Sequence, residues 1–133
     1  VASPPYDVLN VQEARALVEG NPFSFLHVTR SEVDLPADIH PYSALVYEKA
    51  AENMRAMIRQ GTLVREESPC YYIYRLTMAG RRQTGLVCLS SVQDYEEGRI
   101  RRHEFTRPEK EQDRINHITV TGAQTGNVFL AYP

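Results

Sequence analysis

A chain of 133 residues is long enough for one domain around a single core. Its formal charge of -2 at neutral pH gives no global field to gather nucleic acid or an anionic membrane surface. No apolar run approaches the roughly 20 residues that span a bilayer. Cys70 and Cys88 are too few for a disulfide framework, so free thiols in a reducing cytoplasm are expected.

The chain starts at Val1 without Met and stops at Tyr132-Pro133 just after an apolar run, which points to a piece of a longer protein. The first stretch, Val1 to Asp7, is stiffened by Pro4-Pro5 into an extended path. It is a surface lead-in, or a rigid mount that holds Tyr6 and Asp7 at the edge of a site. Asn10 and Glu13 stand at the spacing of a capping box and predict a helix with Val11, Ala14, Leu17 and Val18 on its apolar stripe, closed by Gly20. Asn21-Pro22 signals a turn. Phe23 to Val28 alternates like a strand, with Phe23, Phe25 and His27 on one face. Thr29 to Pro41 reads as a loop, with His40 exposed in it. Ser43 then caps a helix running to about Gln60 and stopped by Gly61. Its buried face is expected at Tyr47, Ala50, Met54, Met57 and Ile58, with Glu48, Lys49, Glu52, Arg55 and Arg59 in water.

From here the pattern turns to strands. One begins at Leu63-Val64, Cys70 to Met78 is rich in tyrosine and β-branched residues, and Gln83 to Val92 returns after a turn at Ala79-Gly80-Arg81-Arg82. Gly85 marks a close backbone approach or a bulge. Ser91 to Gly98 is a turn or a single helical turn. Ile100 to Phe105 is predicted as a further strand that delivers His103 and Glu104 to the next helix. That helix has a second capping box, Thr106 with Glu109, and Pro108 in its first turn, and should end near Asn116. His117 to Thr121 and Asn127 to Tyr132 read as two last strands.

Arg99 to His117 stands out. Its 19 residues hold two histidines, four carboxylates and six basic side chains. Such a segment barely has the apolar stripe that fixes an element to a core. At helical spacing Arg107, Lys110, Glu111 and Arg114 share one face, able to clamp phosphate oxygens near a helix N-terminus. Glu109, Asp113 and His117 share another, able to present a carboxylate and an imidazole. Glu104, at the strand end, suits base or metal work. The competing reading is a solvated helix laced by ion pairs, each contributing only about 0.3–0.5 kcal/mol.

Other chemistries lack their motifs. There is no Gly-rich phosphate loop, no dinucleotide fingerprint and no HExxH pair. Cys70, Cys88 and His103 would converge on zinc only without the usual Cys-x-x-Cys spacing. Between Glu96 and Arg114 six acids balance six bases, whereas a surface tracking phosphates would be mainly basic.

Four motifs carry a resemblance over nearly the whole chain. They are Ser3-Pro4-Pro5-Tyr6-Asp7-Val8, Asn21-Pro22-x-Ser24-Phe25-Leu26-His27-Val28, Tyr71-x-Ile73-Tyr74 with Gly85 downstream, and His103-Glu104-x-Thr106-x-x-x-Lys110-Glu111-x-Asp113-Arg114. Together they resemble the bacterial family called domain of unknown function 1015, whose members are longer, so that this chain would be most of an N-terminal domain. The family is similar in turn to the ParB/sulfiredoxin-like group, which includes a free-serine kinase.

That resemblance implies a single α+β domain over residues 1–133, with a mixed, mostly antiparallel sheet and about three helices. It also implies nucleotide-dependent phosphotransfer to a small hydroxyl amino acid such as free serine. Glu104 or Asp113 would then take the hydroxyl proton, and His103 would assist. Thr106, Arg107, Lys110 and Arg114 would hold phosphates, Tyr6 and Asp7 would meet the substrate, and Mg²⁺ with ATP or ADP would be the cofactors. Two alternatives stay open: a nucleotide- or ligand-binding module without catalysis, and a structural part that docks on the remainder of a longer chain. The expected partners are a small-molecule ligand and that remainder, with neither nucleic acid nor membrane.

Overall fold

The computed structural model describes residues 2–101 and 105–131. Among them are α1 (Val11–Val18), α2 (Leu26–Thr29), a 3₁₀ turn (Ser31–Asp34), α3 (Ala44–Arg59), β1 (Tyr72–Met78), β2 (Arg81–Val87), α4 (Val92–Glu96) and α5 (Pro108–Thr121). Two compact units result. One runs to Val64 and resumes at Thr106, and the other is Arg65–Phe105.

The first unit is helical. The capping box of α1 forms as its residues dictate: Asn10 Oδ1 accepts from the Glu13 amide at 2.9 Å and Glu13 Oε2 from the Asn10 amide at 2.8 Å. Arg15 leaves this helix to meet the 3₁₀ turn. Its guanidinium donates to the carbonyls of Glu32, Val33 and Leu35 at 2.6–3.0 Å. The Glu32 carbonyl also accepts from the Leu35 amide at 3.2 Å, while those of Val33 and Leu35 lie at the end of the short helix, where carbonyls lack intrahelical donors.

Leu26 and Val28 are fully buried and hold α2 in the core. At about 1.5–3 kcal/mol per buried side chain of this size, they anchor a helix of a single turn. Asn53 of α3 secures it from outside, with Nδ2 donating to the His27 carbonyl and to Asp34, each at 2.7 Å.

Val46, Tyr47, Ala50, Ala51 and Met57 form the buried face of α3. Met54 is only partly covered and Ile58 is half exposed, so the face is turned slightly from its expected position. Gly61, at φ +72°, ends the helix, and the Thr62 amide returns to the Met57 carbonyl at 2.9 Å.

α5 docks by polar side chains. Asp113 and His117 are its buried residues. Gly122, at φ +69°, supplies the left-handed C-cap, with its amide on the Ile118 carbonyl at 2.8 Å.

The second unit is built on one hairpin. Ala79 and Gly80 both take positive φ (48° and 77°), the two-residue turn whose twist suits a tight hairpin. Tyr72 lies opposite Val87, Tyr74 opposite Gly85 and Met78 opposite Arg81. In α4, the Ser91 hydroxyl accepts from the Asp94 amide, and Arg99 pairs with Asp94 and Glu97.

The expected α+β fold, a mixed and mostly antiparallel sheet with about three helices, is overturned. The molecule is predominantly helical, with five α-helices and a two-stranded antiparallel sheet among the described residues. The sheet implied by likeness to the ParB/sulfiredoxin-like group is therefore not found there.

Several local expectations fail with it. Phe23 to Val28 is a turn leading into α2, because a short run with four apolar residues in six fits a buried helical turn as well as a strand. Leu63-Val64 and 127–131 pair with no strand among the described residues. Ile100, Arg101 and Phe105 are not in a strand, and the rest of that expected strand lies outside the described residues. The box at Thr106 and Glu109 does not form, since α5 has Arg107 at its N-cap and Pro108 in its first turn. Finally, His117 to Thr121 continues α5 instead of forming a strand. The Thr119 and Thr121 hydroxyls donate to the Ile115 and His117 carbonyls at 2.7 and 2.6 Å, which accommodates these β-branched residues in a helix.

Candidate functional site

A cleft of about 320 Å³ in the helical unit is lined by residues from the Tyr6–Leu9 loop, the Thr29–Glu32 turn, the His40–Tyr42 loop, α3 and α5. Each wall has an identifiable support. Arg30 Nη1 donates to the Tyr6 and Leu9 carbonyls at 2.7 and 2.6 Å, while its Nε meets Glu32 at 2.5 Å. One guanidinium thus fixes the loop that carries Asp7. Planar multi-donor geometry makes arginine suited to this task.

The α5 wall holds the charge. Arg114 stacks on the Tyr6 ring, 4.2 Å from its centroid. Its Nε and Nη2 donate to Asp113 Oδ2 at 3.0 and 2.6 Å, leaving Nη1 for another acceptor. Asp113, 7 % exposed, has its second oxygen occupied as well: Tyr47 Oη donates to Oδ1 at 2.9 Å. Burial, then the hydrogen bond to Asp113, push the Tyr47 pKa up, so the phenol keeps its proton. Lys110, one turn before Arg114, donates to Tyr42 Oη at 2.7 Å and lies over that ring at 5.4 Å. That hydrogen bond raises the Lys110 pKa against a smaller opposing effect of burial, and the ammonium stays charged with two further N–H donors. His40 packs edge-on against Tyr42, with centroids 5.7 Å apart.

His117 lies at the floor, 3 % exposed. Its Nε2 bonds the Val28 carbonyl at 3.0 Å, which makes Nε2 the protonated nitrogen and leaves Nδ1 to accept from the Thr125 hydroxyl at 3.4 Å. Burial lowers its pKa. The Val28 bond opposes that effect, Arg114 adds to it, and Asp113 offsets it again.

Of the residues expected to form a site, Tyr6, Asp7, Lys110, Asp113 and Arg114 line this one cleft. Asp113 is engaged there as a structural link, with both oxygens bonded. Thr106 and Arg107 are exposed and do not line the cleft. His103 and Glu104 lie outside the described residues. Arg30, His40, Tyr42, Tyr47 and His117 also line it. Tyr47 had a readable signal, because a phenol on a buried helix face needs a partner for its hydroxyl. Arg30 had none, since its partners are backbone carbonyls more than twenty residues away.

Among the described residues no group of three or more His, Cys, Asp or Glu side chains could hold a metal ion, and Cys70 and Cys88 are exposed free thiols. No described helix is long and apolar enough to cross a membrane. No curated protein and no solved structure matches the chain. The family model described as "protein of unknown function (DUF1015)" matches residues 1–133, and the chain belongs to that family.

Proposed function

We propose that the helical unit binds a small phosphate-bearing ligand, of the nucleotide class, in the cleft between the Tyr6–Asp7 loop and α5. The observation that carries this reading is the pairing of Lys110 and Arg114, one turn apart and open to the same cleft. Arg114 is pre-set by Asp113 and Tyr6, so little side-chain freedom is lost when Nη1 meets an anion. Charge-assisted bonds from both cations would supply most of the affinity. The Tyr42 and His40 rings offer an apolar surface beside them. Mg²⁺ would arrive with the ligand, held mainly by phosphate oxygens and water, with Asp7 as the exposed carboxylate within reach of that arrangement.

Isothermal titration with ATP-Mg²⁺, ADP-Mg²⁺ and pyrophosphate tests this. Lys110→Gln, an exposed change that spares the core, should weaken binding about ten-fold, the loss of roughly 1.4 kcal/mol. No heat of binding with any of the three at millimolar ligand would overturn the proposal.

Phosphotransfer to a hydroxyl amino acid such as free serine is a second reading, and Asp7 favours it. Asp7 is an exposed carboxylate on the same cleft as both cations. In that reaction the serine hydroxyl oxygen attacks the γ-phosphorus, a carboxylate accepts the hydroxyl proton, and ADP leaves. Asp113 is unsuited to the task because both its oxygens are already bonded. Serine phosphate that forms in the wild type and disappears in Asp7→Asn is the expected result, and in Glu104→Gln it should disappear with nucleotide binding retained. Its absence from the wild type removes catalysis and leaves the binding module.

A further inference from the structure

The hairpin unit carries a surface that its own residues do not cover. The register places Tyr72, Tyr74, Leu76 and Met78 on one face with Val87, Gly85, Gln83 and Arg81 as their cross-strand neighbours. Ile73, Arg75, Thr77, Leu86, Thr84 and Arg82 point to the other. The β1 half of the first face is therefore apolar, yet Tyr74 is 58 % and Met78 81 % exposed. No described residue from Arg65 to Arg101 is buried. A lone two-stranded hairpin is marginal in water, so this face needs an occupant.

Charge identifies one. At the Met78 end stands Arg81, on the same face and without a carboxylate partner among the described residues. At the Tyr72 end stands Glu66, whose carboxylate neighbours the Tyr72 hydroxyl. The surface thus runs from an acid, across an apolar middle, to a base. Such a surface is complementary to itself after a half-turn rotation, the requirement of an isologous interface. We propose that the Tyr72–Met78 face of the hairpin docks on the same face of a second copy of this chain about a two-fold axis.

In that pairing Tyr72 of one copy meets Met78 of the other and Tyr74 meets Leu76. Glu66 of each copy meets Arg81 of the other. Gly85 opposite Tyr74 leaves a notch that a neighbouring side chain can enter. Arg75 and Arg82, on the far face, are kept out of the interface, so no like charges are opposed.

Sedimentation velocity on the intact protein over a range of concentrations tests the proposal. A reversible dimer is expected. Tyr74→Lys should abolish it, and Arg81→Glu or Glu66→Arg alone should weaken it about ten-fold by opposing like charges across the axis. The Glu66→Arg/Arg81→Glu double variant should regain the dimer. All substituted side chains are exposed, and an unchanged circular dichroism spectrum verifies that each variant folds. A monomer at every concentration overturns the proposal and assigns the face to another occupant. A dimer indifferent to Tyr74→Lys, or one that the double variant fails to regain, overturns it as well.

Discussion

Asp113 is the residue on which the cleft turns. It joins Tyr47 of α3 to Arg114 of α5, and so both docks the helix and aims the guanidinium. Removing one partner leaves a buried oxygen unsatisfied. Tyr47→Phe should therefore destabilise the protein by about 1–3 kcal/mol in urea unfolding. His117 couples the same helix to α2, and its lowered pKa sets a pH dependence. Between the lowered folded value and the ordinary 6.5 the unfolded chain binds a proton that the folded chain excludes. The stabilisation is complete well above the ordinary 6.5 and is lost as pH falls from about that value to the lowered folded one. The melting temperature should drop between pH 7.5 and 5.5, with the drop reduced in His117→Gln, whose amide can still donate to Val28. A drop in His117→Gln at least as large as in the wild type would refute the role given to His117.

α1 was fully legible in the sequence because its signals are local: Asn10 and Glu13 bond each other across three residues. Asn10→Ala should cost about 1 kcal/mol of stability, measured by thermal melting. α5 was legible only in part. Its charged spacing was visible, but its buried face is a carboxylate and an imidazole, which no search for an apolar stripe finds. Ile118 to Thr121 then resembled a strand, although the docking of Asp113 and His117 had already committed the chain to a helix. Phe23 to Val28 misled in the opposite way. Leu26 and Val28 are as apolar as the strand pattern required, yet they are buried from a single helical turn. Tyr72 to Met78 was unambiguous, since tyrosines and β-branched residues on both sides of a tight turn leave little alternative to a hairpin.

At the scale of the molecule, the sequence revealed which residues carry unexplained charge, but not the architecture that collects them. Tyr6 and Asp7 lie about a hundred residues from Lys110 and Arg114; Arg114 meets the Tyr6 ring, and Arg30 holds the Tyr6 loop through backbone carbonyls that leave no trace in side-chain pattern. The sheet-based fold failed because two strand-like runs fold into α2 and α5, and the others pair with no strand among the described residues. The central claim is that the helical unit presents an anion cleft built on Lys110 and Arg114. It is tested most directly by titrating ¹⁵N-labelled protein with ATP-Mg²⁺ and pyrophosphate and mapping the amide shifts. The account predicts saturable shifts gathered at Tyr6, Asp7, Tyr42, Lys110 and Arg114, reduced in Lys110→Gln. Shifts that are absent, or gathered elsewhere in the chain, would contradict it.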